Sequence, residues 1–250
     1  MEDNKTILIT ELKRILVEVQ KIFIPVSTSI EALNNTFENL GNALEEFAKK
    51  LPSSLTILAN FGWYITWDTI PGNVIRYAEE LEKGNHKFVD NQIISEIDED
   101  IDEIEKKLIQ NFPHRENAIS SAIKAHKDGL YYLSIPVFFA QTEGICKEIT
   151  GARFFSIKGG NPKTSNWVSK FKPDSFTSLI LEPLTKIGVV RLSQNPENPN
   201  GLNRHDVLHG DCFDYGENKV NSYKTLSLLL YVGEIVFDSK NDAIGNQNSG

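Results

Sequence analysis

The chain has 250 residues and a formal net charge of −8, with 26 Lys and Arg against 34 Asp and Glu. This length allows one large domain or two small ones with a hydrophobic core. The acidic balance weighs against a protein that binds nucleic acid by bulk positive charge. Two cysteines cannot build a disulfide framework or a four-thiolate zinc site. With no apolar run of membrane-spanning length and no secretory signal pattern, we expect a cytoplasmic protein with no membrane partner.

Residues 1–52 carry apolar positions at steps of four and three, which is typical of one face of a helix. Pro25 is expected to split this segment and Pro52 to end it, because proline lacks a backbone donor. The apolar seam is long enough for a coiled coil or a long antiparallel helix pair. Two interpretations are open: a self-association arm, and a helical hairpin packed on its own domain.

Residues 53–112 are predicted to form a middle helical region. Its aromatic residues, Trp63 and Trp67 among them, are expected to pack between helices rather than stack on bases. Further along, seven acidic residues lie between positions 96 and 105, and isoleucines repeat at helical spacing through the same segment. Because the loop and glycine pattern of a calcium site is missing, this segment indicates an amphipathic helix with a solvated acidic face.

Residues 113–238 are predicted to form a C-terminal helical domain, and residues 239–250 a disordered tail. Glu143 lies beside the most apolar run of the chain, so its carboxylate needs a partner or must face a cleft. A helix is expected over 175–189, capped by Asp174 or Ser175. Few segments alternate with a period of two, so the chain is predicted to be an all-α helical bundle. At most, a short strand pair is expected near residues 186–192.

Residues with catalytic or metal-binding side chains are concentrated between positions 201 and 218, and three interpretations of this stretch are open. The first is a metal site. His205 and His209 are four residues apart and share a helix face, and HDVLH resembles the HExxH pattern of zinc proteases. Two ligands do not make a zinc site, however. The candidates for a third ligand are Asp211, Cys212 and Asp214.

The second interpretation is acid–base chemistry without a metal. A histidine can move a proton near neutral pH, an arginine can hold a phosphate with two hydrogen bonds, and RNA supplies its own 2′-hydroxyl nucleophile. Arg204 and His209 are five residues apart, about 140° around an ideal helix, so a long arginine or a second subunit must complete the site. The third interpretation is structural, with these side chains satisfied by Asp206, Asp211 or loop carbonyls.

Arg204 and His209 match the R-x(4–6)-H motif of the HEPN superfamily, with a polar residue directly after the arginine, as that family prefers. The wider stretch is similar to uncharacterised bacterial HEPN-like proteins of the abortive-infection type. The residues that carry this similarity are NRHDVLHG, Tyr215-Gly216, Asn221 and the leucine-rich helix that follows, with AQTEGI at 140–145 and GWY at 62–64 upstream. The resemblance covers residues 113–238.

The resemblance implies a metal-independent endoribonuclease, without a cofactor, that acts in antiphage defence, abortive infection or toxin–antitoxin growth control. Arg204 would bind the scissile phosphate and His209 would act as general base or acid. The supporting residues would be His205, Asn203, Glu143 and Tyr215. HEPN sites commonly form across a homodimer, so the implied partners are tRNA or mRNA, a second copy of the chain, and an antitoxin or defence-system protein.

Two alternatives stay open beside the ribonuclease. One is a non-catalytic HEPN-like binding or dimerisation module, and the other is a metal-dependent hydrolase that uses the HDVLH segment. The charge distribution is compatible with RNA despite the acidic total. Residues 151–225 hold ten Lys and Arg against seven Asp and Glu. RNA would therefore bind in a local cleft, with the acidic helix facing elsewhere or guarding it.

Overall fold

The computed structural model describes residues 30–67, 69, 73–173, 175–191 and 202–240, with side chains in the first helix from residue 39 onward. This part of the chain is all-α, as the sequence predicts. Its α-helices are α1 Ile30–Asn60, α2 Val74–Glu82, α3 His86–Asn111, α4 Glu116–Lys127, α5 Tyr131–Thr150, α6 Ser165–Val168, α7 Phe176–Ile180, α8 Arg204–His209 and α9 Lys219–Leu230.

Shorter elements complete the described chain. The helix α9 continues directly into a π-helical turn over Tyr231–Val236. Two strands, β1 Ile157–Lys158 and β2 Asn161–Pro162, form an antiparallel pair. The 3₁₀ turns are Pro113–Arg115, Glu182–Leu184 and Val189–Arg191.

The first helix corrects the boundary predicted at Pro52, because α1 passes through this proline and ends at Asn60. Leu51 and Leu55 on either side of it are almost fully buried. Packing of that face maintains the helix across a position where one backbone hydrogen bond is missing. Residues 1–29, with the expected break at Pro25, lie outside the described residues, as does the tail from 241 onward.

The strand pair is also not where the sequence predicted it. It lies at 157–162, where the consecutive glycines 159 and 160 both adopt positive φ and form the turn. Two adjacent residues in this conformation favour a tight hairpin. The predicted position near 186–192 contains the 3₁₀ turn Val189–Arg191 instead.

The helix expected over 175–189 is shorter than predicted. Ser175 is the N-cap of α7, and its hydroxyl accepts a hydrogen bond from the Ser178 N–H at 3.1 Å. The helix ends at Ile180, and the next turn, which contains Pro183, is a 3₁₀ turn. At the C-terminal end, Ser239 and Lys240 are helical, so the predicted tail begins too early.

The hydrophobic core is continuous from α1 to the end of α9 and centres on α5 and α9. On α3, the isoleucines of the predicted apolar face are buried at 93, 97 and 104, and the one at 101 is half-buried. Trp63 and Tyr64 are buried, which confirms packing between helices for this part of the aromatic segment. Among the described residues, no helix has the length and apolar character needed to cross a bilayer.

Helices α4 and α5 form an antiparallel hairpin that closes at Gly129. This residue has a φ of 72°, and the N–H groups of Gly129 and Leu130 donate to the carbonyls of His126 and Ala125. The pattern is a Schellman motif, which needs a residue that adopts the left-handed conformation without strain. The sharp end of α4 allows α5 to return along it and to place its middle turns at the centre of the bundle.

A buried histidine joins α4 and α5 to α9. The His126 Nδ1 atom lies 2.7 Å from the Ser222 hydroxyl, which in turn lies 2.8 Å from the Ser134 hydroxyl. The imidazole also packs edge-on against the Tyr223 ring. Burial lowers the pKa of His126 to about 4, because the protonated ring would lose its hydration. The residue is therefore neutral in the folded protein at physiological pH.

We expect His126 to make the protein less stable in mild acid. The folded-state pKa lies below the unfolded value, so this contribution is fully present above about pH 6.5 and is lost as the pH falls towards 4. Between pH 7.5 and 5.0, the wild type should lose about 2 kcal/mol of unfolding free energy more than His126→Asn does. Urea denaturation at the two pH values measures the difference. An equal loss in both proteins would contradict this assignment.

Candidate functional site

The predicted motif lies on α8, a helix of six residues with a cap at each end. The Asn203 side chain accepts a hydrogen bond from the Asp206 N–H at 2.8 Å, and Gly210 ends the helix with a φ of 81°. Asn203 was expected to support the site, and its observed role is that of the N-cap. The two caps confine α8 to Arg204–His209, so the arginine begins the helix and the histidine ends it.

Glu143 lies in the middle of α5 and faces Arg204. Its carboxylate is only 12% exposed, and Oε2 lies 3.6 Å from the Arg204 Nε. This contact is an ion pair slightly longer than a hydrogen bond. A carboxylate at this position was expected to need a partner or to face a cleft. The structure places it beside the arginine of the motif.

Residues 153–155 complete the surroundings of this pair. Arg153 Nη1 lies 3.5 Å from the other oxygen of Glu143, and the Arg204 guanidinium lies 5.9 Å from the centre of the Phe155 ring. Sequence reasoning did not identify either residue. Phe154, between them, stacks at 4.0 Å on the buried Arg191, on the turn that packs against α8. The segment therefore contacts both Arg204 on the motif helix and Arg191 on the turn that packs against this helix.

His205 and His209 lie on the exposed side of α8. Both side chains are exposed, and their ring centres are 4.4 Å apart. Arg204 faces α5 instead, and the Cα atoms of Arg204 and His209 are separated by about 7.5 Å of helix rise. Among the described residues, neither a hydrogen bond nor an ion pair joins the Arg204 and His209 side chains. The structure thus places the arginine and the histidine at opposite ends of one helix, on different faces.

One group of side chains in the described chain has the spacing of metal ligands. His205, Asp206 and Asp211 each offer a ligand atom, and these atoms lie within 4.8 Å of one another. The set differs from the His205–His209 pair that the HDVLH pattern suggested. One Asp206 oxygen already accepts a hydrogen bond from the Asn203 amide at 2.6 Å. Three protein ligands and one open position can hold a divalent cation.

Tyr215 anchors the loop after α8 to the start of α5. Pro136 lacks an N–H, so the carbonyl of Tyr132, four residues earlier in α5, has no intrahelical donor. The Tyr215 hydroxyl donates to this carbonyl at 3.1 Å, and the two tyrosine rings meet edge-on. A Cβ atom at Gly216 would lie only 2.6 Å from the Tyr132 ring, so the loop approaches α5 as closely as its backbone allows. The observed role of Tyr215 is therefore structural.

Several large apolar side chains are exposed around the motif helix. Phe213, in the loop after α8, is 84% exposed. The others lie at the start of α5 and on the outer face of α8: Leu130, Tyr132, Leu133 and Leu208. An apolar group of this kind beside a polar site is typical of a protein–protein contact.

Comparisons with protein-family models, with curated proteins and with solved structures gave no match to this chain. Membership of the HEPN superfamily therefore stays a prediction that rests on the residues of the motif and their flanking sequence.

We expect the N-cap to control the order of α8. Replacing Asn203 by Ala should cost about 1 kcal/mol of unfolding free energy, because the Asp206 N–H loses its acceptor. Asn203→Ser should retain most of the stability, since serine also caps helices. Hydrogen exchange gives the local readout: the Asp206 amide should exchange faster in the alanine variant only. Equal exchange in all three proteins would show that α8 does not depend on the cap.

Proposed function

We propose that the chain is a metal-independent endoribonuclease of HEPN type that acts in the cytoplasm in antiphage defence or growth control. The observation that carries this proposal is the contact between Glu143 and Arg204. The Glu143 carboxylate lies 3.6 Å from the Arg204 Nε atom, so it attracts the guanidinium of the motif arginine towards α5. An arginine positioned in this way is suited to a phosphate, which accepts two parallel hydrogen bonds.

The proposed reaction is attack by a ribose 2′-hydroxyl on the adjacent phosphorus atom. A bond forms between the 2′-oxygen and phosphorus, and the bond from phosphorus to the 5′-oxygen breaks. His209 accepts the 2′-hydroxyl proton while water protonates the leaving 5′-oxygen, or His209 donates a proton to the 5′-oxygen while water accepts the 2′-hydroxyl proton. Arg204 stabilises the negative charge that develops on the phosphate oxygens. The products are a 2′,3′-cyclic phosphate and a 5′-hydroxyl end.

A second copy of the chain would complete the site. Arg204 and His209 of one copy lie on different faces of α8, so one phosphate does not meet both within a single chain of this geometry. The apolar side chains around α8, with Phe213 as the most exposed, support a contact between two copies at this surface. In such a dimer, the arginine of one copy and the histidine of the other would face the same phosphate.

The test is cleavage of tRNA and total RNA in EDTA. The wild type should cut, whereas Arg204→Ala and His209→Ala should each lose at least about 100-fold in rate, the usual contribution of a proton-transfer or charge-stabilising group. Arg76→Ala is the matched control, since Arg76 is an exposed arginine on α2. Absence of cleavage by wild type with an unchanged oligomeric state in the variants would favour the non-catalytic binding module.

Mixing the two inactive variants tests the shared site. If each site takes its arginine and histidine from different copies, a mixed dimer has one intact site, and a statistical mixture should recover about a quarter of wild-type activity. No recovery in a mixture that exchanges subunits would exclude this arrangement. The measurement needs only the two purified variants and the same RNA substrate.

A metal-dependent hydrolase is the second candidate, favoured by the proximity of His205, Asp206 and Asp211. It predicts that EDTA abolishes cleavage and that Asp211→Asn abolishes both activity and stoichiometric zinc, while Arg204→Ala retains the metal. Elemental analysis of the wild type and the two variants distinguishes the candidates. One equivalent of tightly held zinc per chain would overturn the metal-free reaction.

A further inference from the structure

A strongly basic cleft lies next to the motif helix, and the proposed cleavage step does not use it. Its volume is about 540 Å³, and it opens between the end of α5, the β-hairpin and α6. Its polar lining includes Lys147, Arg153, Lys158, Lys163, Asn166 and Lys170, without a carboxylate among the described residues. Residues 149–173 contain no Asp or Glu, in a chain whose net charge is −8. We call this site the basic cleft.

The lysines of the basic cleft have no anionic partner in the described part of the chain. Elsewhere, Lys83, Lys106 and Lys127 each lie within 3 Å of a carboxylate oxygen. Within the described residues, no such pair forms at Lys147, Lys158, Lys163 or Lys170, and Arg153 is the one cation of the cleft that meets a carboxylate, that of Glu143. Like charges that converge without counter-charges repel one another, and a bound anion relieves that repulsion.

The shape of the site favours an extended anion over a single phosphate group. A second cavity of about 500 Å³ adjoins the basic cleft, and the two share Thr150, Gly151, Trp167 and Lys170 in their linings. Lys240 and His114 add basic side chains to the second cavity, whose wall also contains the carboxylate of Glu148, 3.2 Å from His114. The basic residues of the two adjoining cavities cover a longer surface than one phosphate group occupies, which favours a strand with repeated phosphates.

The cleft is connected to the motif helix through one carboxylate. Glu143 lies 3.5 Å from Arg153, which lines the cleft, and 3.6 Å from Arg204, which begins α8. We propose that the basic cleft binds the sugar–phosphate backbone of a single-stranded RNA and leads it to Arg204. The choice of RNA rests on the proposed function, whereas the anionic polymer is argued from the charges and shape of the cleft alone.

The experiment measures binding of a fluorescent 20-nucleotide 2′-O-methyl RNA, which lacks the free 2′-hydroxyl that cleavage requires. If each of the four lysines contacts one phosphate, the logarithm of the binding constant should fall with the logarithm of the salt concentration with a slope of about −3. This value follows from a factor of about 0.7 per phosphate contact on a single strand. Lys158→Gln/Lys163→Gln should reduce the magnitude of the slope by about 1.4 and weaken binding about 20-fold at 0.1 M salt. The matched control is Lys87→Gln/Lys107→Gln, which removes two exposed lysines from α3.

The competing ligands give outcomes that overturn the proposal. Equal affinity for the 20-mer and for inorganic phosphate or AMP would indicate a small-anion site. Binding to vesicles with 30% phosphatidylserine that depends on Lys158 and Lys163, without RNA binding, would indicate a membrane surface. No RNA binding by the wild type, or the same salt slope in both double variants, would also overturn the proposal.

The experiments distinguish a failure of the basic-cleft proposal from a failure of the ribonuclease proposal. If the double variant loses strand binding but no condition produces cleavage, the basic cleft is supported and the proposed ribonuclease is not. If Arg204→Ala abolishes cleavage while Lys158→Gln/Lys163→Gln leaves strand binding unchanged, the ribonuclease is supported and the basic cleft is overturned.

Discussion

The carboxylate of Glu143 places one negative charge in the middle of the most central helix of the bundle, where water reaches little of it. Such a charge is costly unless positive groups lie against it. The protein meets this requirement with two arginines from different parts of the chain, Arg204 at the start of α8 and Arg153 after the end of α5. The Glu143 carboxylate is thereby a shared contact of the short motif helix, the loop after α5 and the centre of the fold.

The two arginines at that point have different surroundings. Arg204 is partly covered and belongs to a capped helix, so its side chain has a defined direction. Arg153 is more exposed and lies on the wall of the basic cleft. An anion that approached either arginine would also interact with Glu143, and the repulsion would favour positions where the arginine groups lie between the anion and the carboxylate. The two arginines therefore attract an anion, while the Glu143 carboxylate restricts the positions at which it can bind.

The sequence predicted those parts of the fold that depend on local periodicity. The isoleucine face of α3 and the helical form of the motif segment follow from the spacing of their residues, whereas the N-cap role of Asn203 was not predicted. It did not predict the continuation of α1 through Pro52, because burial of Leu51 and Leu55 against distant segments outweighs the local effect of proline. Nor could spacing identify Arg153 as a partner of Glu143, since their contact depends on how the chain turns after α5. The absence of acids over 149–173 was the available signal for the cleft.

The hydrogen bond between Tyr215 and the carbonyl freed by Pro136 makes substitutions at these two positions act on the same backbone group. An alanine at position 136 would restore a backbone donor to the Tyr132 carbonyl, and the tyrosine hydroxyl would have to share its acceptor. A phenylalanine at position 215 would leave that carbonyl dependent on water. Once either substitution is made, the hydrogen bond from the Tyr215 hydroxyl to the Tyr132 carbonyl is weakened or lost. The other substitution then costs less stability than it would alone. The two positions thus share one acceptor, although 79 residues separate them along the chain.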